Sequence, residues 1–230
     1  MENVPKSVGI VLDGNRRFAK RLMMKPWMGH EWGAKKIHEL LGWCIDLGVE
    51  EVTLYAFSIE NFDRPKKEFD FLMDIFEKEF ADALKNPNVE KNGIKFNFIG
   101  RIDMFPERVS SKMKELMKKT KDYDKLTVNF AMAYGGRAEI LDASKKLFEK
   151  VQKGEVKEIN EEEFRKCLYL QNYPDLIIRT SESRLSGFLL WQGSYSEIIF
   201  LPDIMWPEFT KQDLKNSVKE FYNRKRRFGR

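Results

Sequence analysis

Asp13, Gly14, Asn15, Arg16 and Arg17 stand in one unbroken run at the end of an apolar stretch, and their types suit a phosphate-like anion. Gly14 would let the backbone approach a phosphate closely, Arg16 and Arg17 would supply charge-assisted donors, and Asp13 could hold a divalent cation against the anion. An ordinary strand-to-helix turn, with Asp13 or Asn15 as N-cap, fits the same residues. A second polar set, Ser58, Ile59, Glu60, Asn61, Phe62, Asp63 and Arg64, follows another apolar run. A third begins at Arg179 and continues through Thr180, Ser181, Glu182, Ser183, Arg184, Leu185 and Ser186. Two arginines and several hydroxyls in one loop make a receptor for a second phosphate, because guanidinium gives forked, directional contacts. His30 either faces the same anion as Arg17 or serves as a structural hydrogen-bonder. Gly135 and Gly136 read equally as a phosphate nest or a tight turn. Glu197 is an isolated acid at the mouth of a strand, solvated unless it answers an arginine or a metal.

These clusters need strands and helices to bring them together. Val8 to Leu12, Glu51 to Phe57, Ile94 to Ile99, Leu126 to Ala133, Asp175 to Arg179 and Glu197 to Leu201 read as strands, several with continuous apolar runs that suit a sheet covered on both faces. Between them, Phe18–Met24, Gly29–Leu47 closed by Gly48, Phe69–Leu84, Glu107–Thr120, Ala138–Lys153, Glu161–Tyr169 and Asp213–Phe228 read as helices. Alternation of strand and helix predicts an α/β fold: one domain over residues 1–230, with a mainly parallel sheet of about six strands flanked by helices. In such sheets ligands collect outside the carboxyl ends of the strands, where the three polar clusters fall. The helix Phe69–Leu84 carries apolar residues around more of its circumference than one stripe requires. It reads as a deeply packed helix or as the wall of an apolar cavity fit for a hydrocarbon.

The 230 residues carry a net charge of +5, which permits anionic partners and selects none. Two cysteines, Cys44 and Cys167, show neither metal-ligand spacing nor a disulfide framework, so a reducing, cytoplasmic setting is expected. Nothing at the N-terminus reads as a signal peptide, and no run approaches the roughly 18 apolar residues of a membrane span. The basic cluster Arg224, Lys225, Arg226, Arg227 comes without stacking aromatics, which argues against nucleic acid as partner.

Taken together, DGNRRFAK at Asp13–Lys20, GHEWG at Gly29–Gly33, TLYAFSIENFDRP at Thr53–Pro65, NFAMAYGGRAEI at Asn129–Ile140, DLIIRTSESRLSGFLLWQ at Asp175–Gln192, YSE at Tyr195–Glu197 and RRFG at Arg226–Gly229 resemble the cis-prenyltransferases. That family includes the undecaprenyl and dehydrodolichyl diphosphate synthases. The resemblance implies an enzyme that adds isopentenyl diphosphate to an allylic diphosphate of the farnesyl or geranylgeranyl class, leaving a cis double bond at each addition. It implies Mg²⁺ as cofactor, a hydrophobic tunnel for the product, a homodimer, and possible peripheral contact with a membrane.

Carried over by position, Asp13 would bind Mg²⁺ and assist departure of the allylic diphosphate, and Glu197 would help hold the metal. Gly14, Asn15, Arg16, Arg17, Phe18, His30 and Arg64 would surround that diphosphate, and Ser58, Ile59, Glu60, Asn61 and Phe62 would complete the pocket. Asn61 would be the proton acceptor, although a neutral amide is a poor base. Arg179, Arg184, Leu185 and Ser186 would grip isopentenyl diphosphate, and Arg227 with Gly229 would form a terminal motif that reaches the partner's site. Arg16 and Phe18 stand where bacterial members usually have Gly and Trp, which points to the archaeal or eukaryotic branch. The loop from Arg179 to Arg184 is one residue shorter than the common pattern. Pro26 stands where Arg is frequent, so that contact is either lost or supplied by Lys25. The alternatives are a non-catalytic accessory subunit, which the presence of Asp13, Asn15 and Arg17 opposes, and a branched, non-head-to-tail condensation.

Overall fold

The computed structural model describes residues 4–224. Six strands form one sheet: β1 (Ser7–Val11), β2 (Glu51–Ser58), β3 (Ile94–Ile99), β4 (Leu126–Tyr134), β5 (Leu176–Thr180) and β6 (Glu197–Leu201). Every pairing is parallel, in the order β3-β4-β2-β1-β5-β6. From β1 the chain builds outward on one side through β2, then returns after β4 to place β5 on the other side. β1 and β5 therefore flank the point where the winding reverses, the place in an open α/β sheet where a crevice forms.

The helices are α1 (Asn15–Arg21), α2 (Gly29–Leu47), α3 (Lys66–Lys85), α4 (Pro87–Lys91), α5 (Glu107–Thr120), α6 (Gly136–Gln152), α7 (Glu161–Arg165) and α8 (Lys211–Asn223). Alternate strand residues serve two cores, as the two-residue period of a strand requires. Val8, Ile10, Val52, Leu54, Val128, Phe130, Leu176 and Ile178 join the larger core with α2, α3, α5 and α8. Val11, Ala131 and Ile177 join the opposite core with Tyr134, Phe188 and Leu189. Near its end β2 slips register against β4, and the consecutive residues Ala56 and Phe57 both meet the larger core. A bulge of this kind re-aims side chains next to a site.

Some element ends differ from expectation. α1 begins at Asn15 rather than Phe18, because Gly14 takes a left-handed φ of 108° and turns the chain straight from strand to helix. A Cβ at Gly14 would lie 2.2 Å from Ser181 Oγ, so no other residue fits there. α7 stops at Arg165, and α8 ends at Asn223; Phe228, its expected end, lies outside the described residues. Short 3-10 turns at Pro26–Met28 and Ile59–Asp63, and the five-residue α4, were not foreseen.

Candidate active site

Asp13 leaves β1 beside Arg179 of β5, whose register partner is Val11. Its main chain is held from three sides. The Asp13 carbonyl accepts from Trp206 N at 2.9 Å, Thr180 Oγ1 at 2.7 Å and Ser181 Oγ at 3.2 Å. Its carboxylate accepts from Gly14 N at 2.6 Å and Arg179 Nη2 at 3.0 Å, and Arg17 Nη2 lies 3.3 Å away. Arg179 is 3% exposed. It also donates to Ser186 Oγ at 2.7 Å and to the Arg184 carbonyl, while its Nε has no protein acceptor among the described residues. A buried guanidinium with a spare donor beside a cavity is equipped to receive an anion's oxygen.

A second cationic group lies where α1, α2 and the start of α3 meet. Arg16, His30 and Arg64 converge on Glu68, a carboxylate only 2% exposed, at 3.6, 3.4 and 3.1 Å. Arg64 Nη1 also lies 3.2 Å from His30 Nε2. Burial lowers the His30 pKa below its ordinary 6.5, with the neighbouring arginines in the same sense and Glu68 opposing. A neutral ring with its proton on Nε2 donates to Glu68, the carboxylate that also holds Arg64. The hydrogen bond from His30 holds the Glu68 carboxyl below the ordinary carboxylate range, with Arg64 and Arg16 adding to it.

Both groups open on one cavity of about 1030 Å³, at the upper end of the roughly 300–1,000 Å³ usual for ligand pockets. Its polar end is lined by Asp13, Gly14, Asn15, Arg16, Arg17, Lys20, His30, Ser58, Glu60, Asn61, Arg64, Arg179, Arg184 and Ser186. From there it runs between α2 and α3. Lining positions on α2 extend from His30 to Ile45, about 22 Å of helix at 1.5 Å per residue. Ile75, Phe76 and Phe80 form the facing wall, and Val89 of α4 with Ile94 lines the far end. Gly33 of α2 lets the helix close on the first turn, since a Cβ there would lie 2.3 Å from Asn15 Oδ1.

Several expected site residues stand elsewhere. Phe18 is buried against Trp32, Phe62 packs on Phe57, Phe69 and Phe105, and Leu185 packs against the second core. None of these, nor Ile59, lines the cavity. Phe71 of α3 does not line the cavity either, and Lys25 lies over the Trp27 ring, so the missing cation is not supplied by Lys25; Lys20 lines the cavity instead. Asn61 lines it, but its Oδ1 accepts from Ser58 N at 3.0 Å in a capping box. It can offer its amide N–H groups to the cavity, which is not the action of a base. Glu197 is not at the mouth: it opens β6 at the opposite edge of the sheet and pairs with Arg224 at 2.9 Å. The length of that strand, about 13 Å, separates it from the level of Asp13 within one chain. Arg227 and Gly229 lie outside the described residues.

Glu68 was missed, and Glu182 was named in its loop without a role of its own. Glu182 bridges Arg17 at 3.1 Å and Arg184 at 2.7 Å, tying α1 to the loop after β5 within the first group. The one available signal was Glu68 at i+4 from Arg64, a spacing equally common in solvated pairs.

No group of three or more His, Cys, Asp or Glu side chains that could cage a metal occurs among the described residues. One carboxylate facing an anion site is nevertheless how Mg²⁺ is commonly held, with phosphates and water completing its shell. Asp13 fits that pattern.

Two arginine-lined anion receptors at the crevice of a parallel sheet, joined to a deep apolar cavity, define a protein that handles amphiphilic phosphate esters. Residues 11–229 match the family profile described as "Putative undecaprenyl diphosphate synthase", and the chain belongs to this family, the cis-prenyltransferases. It is 46% identical over 232 residues to a geranylgeranyl-diphosphate-specific tritrans,polycis-undecaprenyl-diphosphate synthase of Methanopyrus kandleri, covering 99% of this chain and 85% of that one. Identity to the synthase of the same name from Methanocaldococcus jannaschii is 47% over 236 residues, covering 100% and 84%. Among solved structures, lavandulyl diphosphate synthase from Lavandula x intermedia, crystallised with dimethylallyl diphosphate, superposes with a TM-score of 0.94 at 32% identity and 99% coverage of both chains. A probable undecaprenyl diphosphate synthase from Campylobacter jejuni gives 0.83 at 36% identity, covering 99% of this chain and 100% of that one.

Proposed function

We propose that this chain condenses isopentenyl diphosphate with an allylic diphosphate, geranylgeranyl diphosphate by analogy with the archaeal relatives, to extend a cis-polyprenyl diphosphate. The single observation that carries the reading is that both arginine clusters open on the same deep apolar cavity. In the reaction the allylic C–O bond breaks, a new C–C bond forms to isopentenyl diphosphate, a proton leaves that substrate, and inorganic diphosphate departs. Asn15, Arg16, His30 and Arg64 bind the allylic diphosphate; Arg179, Arg184 and Ser186 hold the isopentenyl diphosphate beside it. Their fixed donors oppose the charge that grows on the leaving group. Mg²⁺ on Asp13 would supply further neutralisation of that charge. The proton is taken by the departing diphosphate, the oxygen base the reaction itself releases, since Asn61 Oδ1 is held by Ser58 N. The growing tail descends between α2 and α3, where each buried CH₂ favours retention by about 0.8 kcal/mol.

A homodimer has support in exposed apolar side chains on the open edge strand β6 and on the segments next to it: Phe200, Leu190, Tyr195 and Tyr222. A short product has one observation in its favour, the 0.94 superposition on lavandulyl diphosphate synthase; a cavity reaching Val89 and Ile94 favours the long one. Incubation with labelled isopentenyl diphosphate, Mg²⁺ and a set of allylic starters, followed by sizing of the products, tests the proposal. Long products from geranylgeranyl diphosphate are expected; no incorporation with any starter refutes it.

A further inference from the structure

The segment 20–36, the end of α1, the turn after it and the start of α2, turns three large apolar side chains outward. Leu22 is 46% exposed, Met23 96% and Trp32 47%. Met23 also sits at φ +56°, the left-handed position after a helix that glycine ordinarily fills. Its turn is held by Leu22 N to Phe18 O at 3.2 Å, Met23 N to Lys20 O at 3.0 Å and Met24 N to Ala19 O at 2.9 Å. A fully exposed Met in a conformation unfavourable to it gains nothing from this chain's own fold.

Around these side chains stand Lys20, Arg21, Lys25, Lys35 and Lys36, against the single acid Glu31. Arg21 is paired with Glu208 and Lys36 with Glu39. Lys25 and Lys35 lie over the Trp27 and Trp32 rings at 5.6 and 5.9 Å. Apolar tips ringed by long cationic side chains are what an interfacial surface requires, the tips entering the acyl boundary and the cations meeting anionic headgroups.

We propose that segment 20–36 is the surface by which this protein rests on an anionic lipid bilayer. The apolar residues protrude singly, which suits a lipid surface rather than a protein partner needing a complementary face. Lys20, His30 and Gly33 of the same segment line the cavity, so docking brings the cavity mouth to the lipid. That benefit rests on the polyprenyl reading, but attachment does not.

The test is flotation of the full chain with vesicles of phosphatidylcholine alone or mixed equally with phosphatidylglycerol, without substrate, so failure of attachment is separate from failure of turnover. The chain should float with the mixed vesicles only, and less as salt rises. Leu22→Ser with Met23→Gly should cut the bound fraction about tenfold, with no lower melting temperature because glycine suits the turn, and with unchanged turnover of soluble substrates. Lys25→Glu with Lys35→Glu should also abolish flotation. No flotation of the native chain, or equal flotation of the Leu22/Met23 variant, overturns the proposal. So does vesicle-free self-association that the same variant removes, which would make this face a contact between copies.

Discussion

Asp13 and Arg179 form a pair in which one partner is almost wholly buried, so the two roles of the carboxylate, structural and chemical, must be separated by the choice of substitution. Asp13→Ala would strand a buried guanidinium and cost stability. Asp13→Asn keeps the shape and the acceptor for Gly14 N. We expect it to fold and to lose about 100-fold or more in kcat, measured with saturating Mg²⁺; near-native turnover would refute the assignment. Glu68→Gln should leave Arg16 and Arg64 less firmly aimed, raise KM for the allylic diphosphate and cost about 1–3 kcal/mol of stability. Both titrating groups act in one direction. The lowered pKa of His30 means its contribution is full above 6.5 and declines as pH falls below that. The lowered pKa of Glu68 means its contribution is full above 4.5 and is lost as pH falls through the folded value. Melting temperature should therefore decline on acidification below 6.5 and more steeply below 4.5, and Glu68→Gln should make the second decline shallower, Glu79 and Asp142, whose carboxyls are also held down by their partners, supplying the rest.

The α2 and α3 helices are the walls of the cavity, and a change on the lining side should be read out as product length. Ile75→Ala or Phe76→Ala should lengthen products and Ile75→Phe shorten them, while Phe71→Ala, a change off the wall, should leave them alone; the check is the size distribution of the polyprenyl products. Much at this scale was legible beforehand. Ile94–Ile99, Glu107–Thr120 and Glu197–Leu201 have the expected ends, because apolar period and flanking proline or glycine act locally. The excess apolar load of α3 also pointed to a cavity wall, which it is. Glu68 was hidden because a charged residue on a helix reads as solvated until its neighbours from two other helices are known. Glu197 was misplaced although the order was legible: it is the first residue of its strand, and in a parallel sheet the first residue lies at the amino end, away from the crevice. Phe18 and Phe62 were carried over from a motif whose aromatic members here serve the core.

Across the molecule, the exposed apolar side chains beside β6 form a second testable surface. Tyr195→Glu with Tyr222→Glu alters residues that are 67% and 62% exposed, so the fold should persist while sedimentation shifts from dimer to monomer; an unchanged sedimentation profile would refute that face. If the segment 226–230 completes the partner's site, a chain truncated before Arg226 should be inactive alone and regain activity when mixed with the Asp13→Asn chain. Each then supplies what the other lacks, and no recovery on mixing would count against the exchange.

The hydrogen bond from Arg179 to Asp13 spans 166 positions of sequence, and the two strands that carry these residues lie side by side. A chain emerging during synthesis thus has its first acid long before the cation that answers it. Competence to bind arrives abruptly, once β5 has emerged, and a product truncated anywhere before β5 is inert rather than partly active. Ligand added during refolding should correspondingly act on the last step of assembly and leave the early ones untouched.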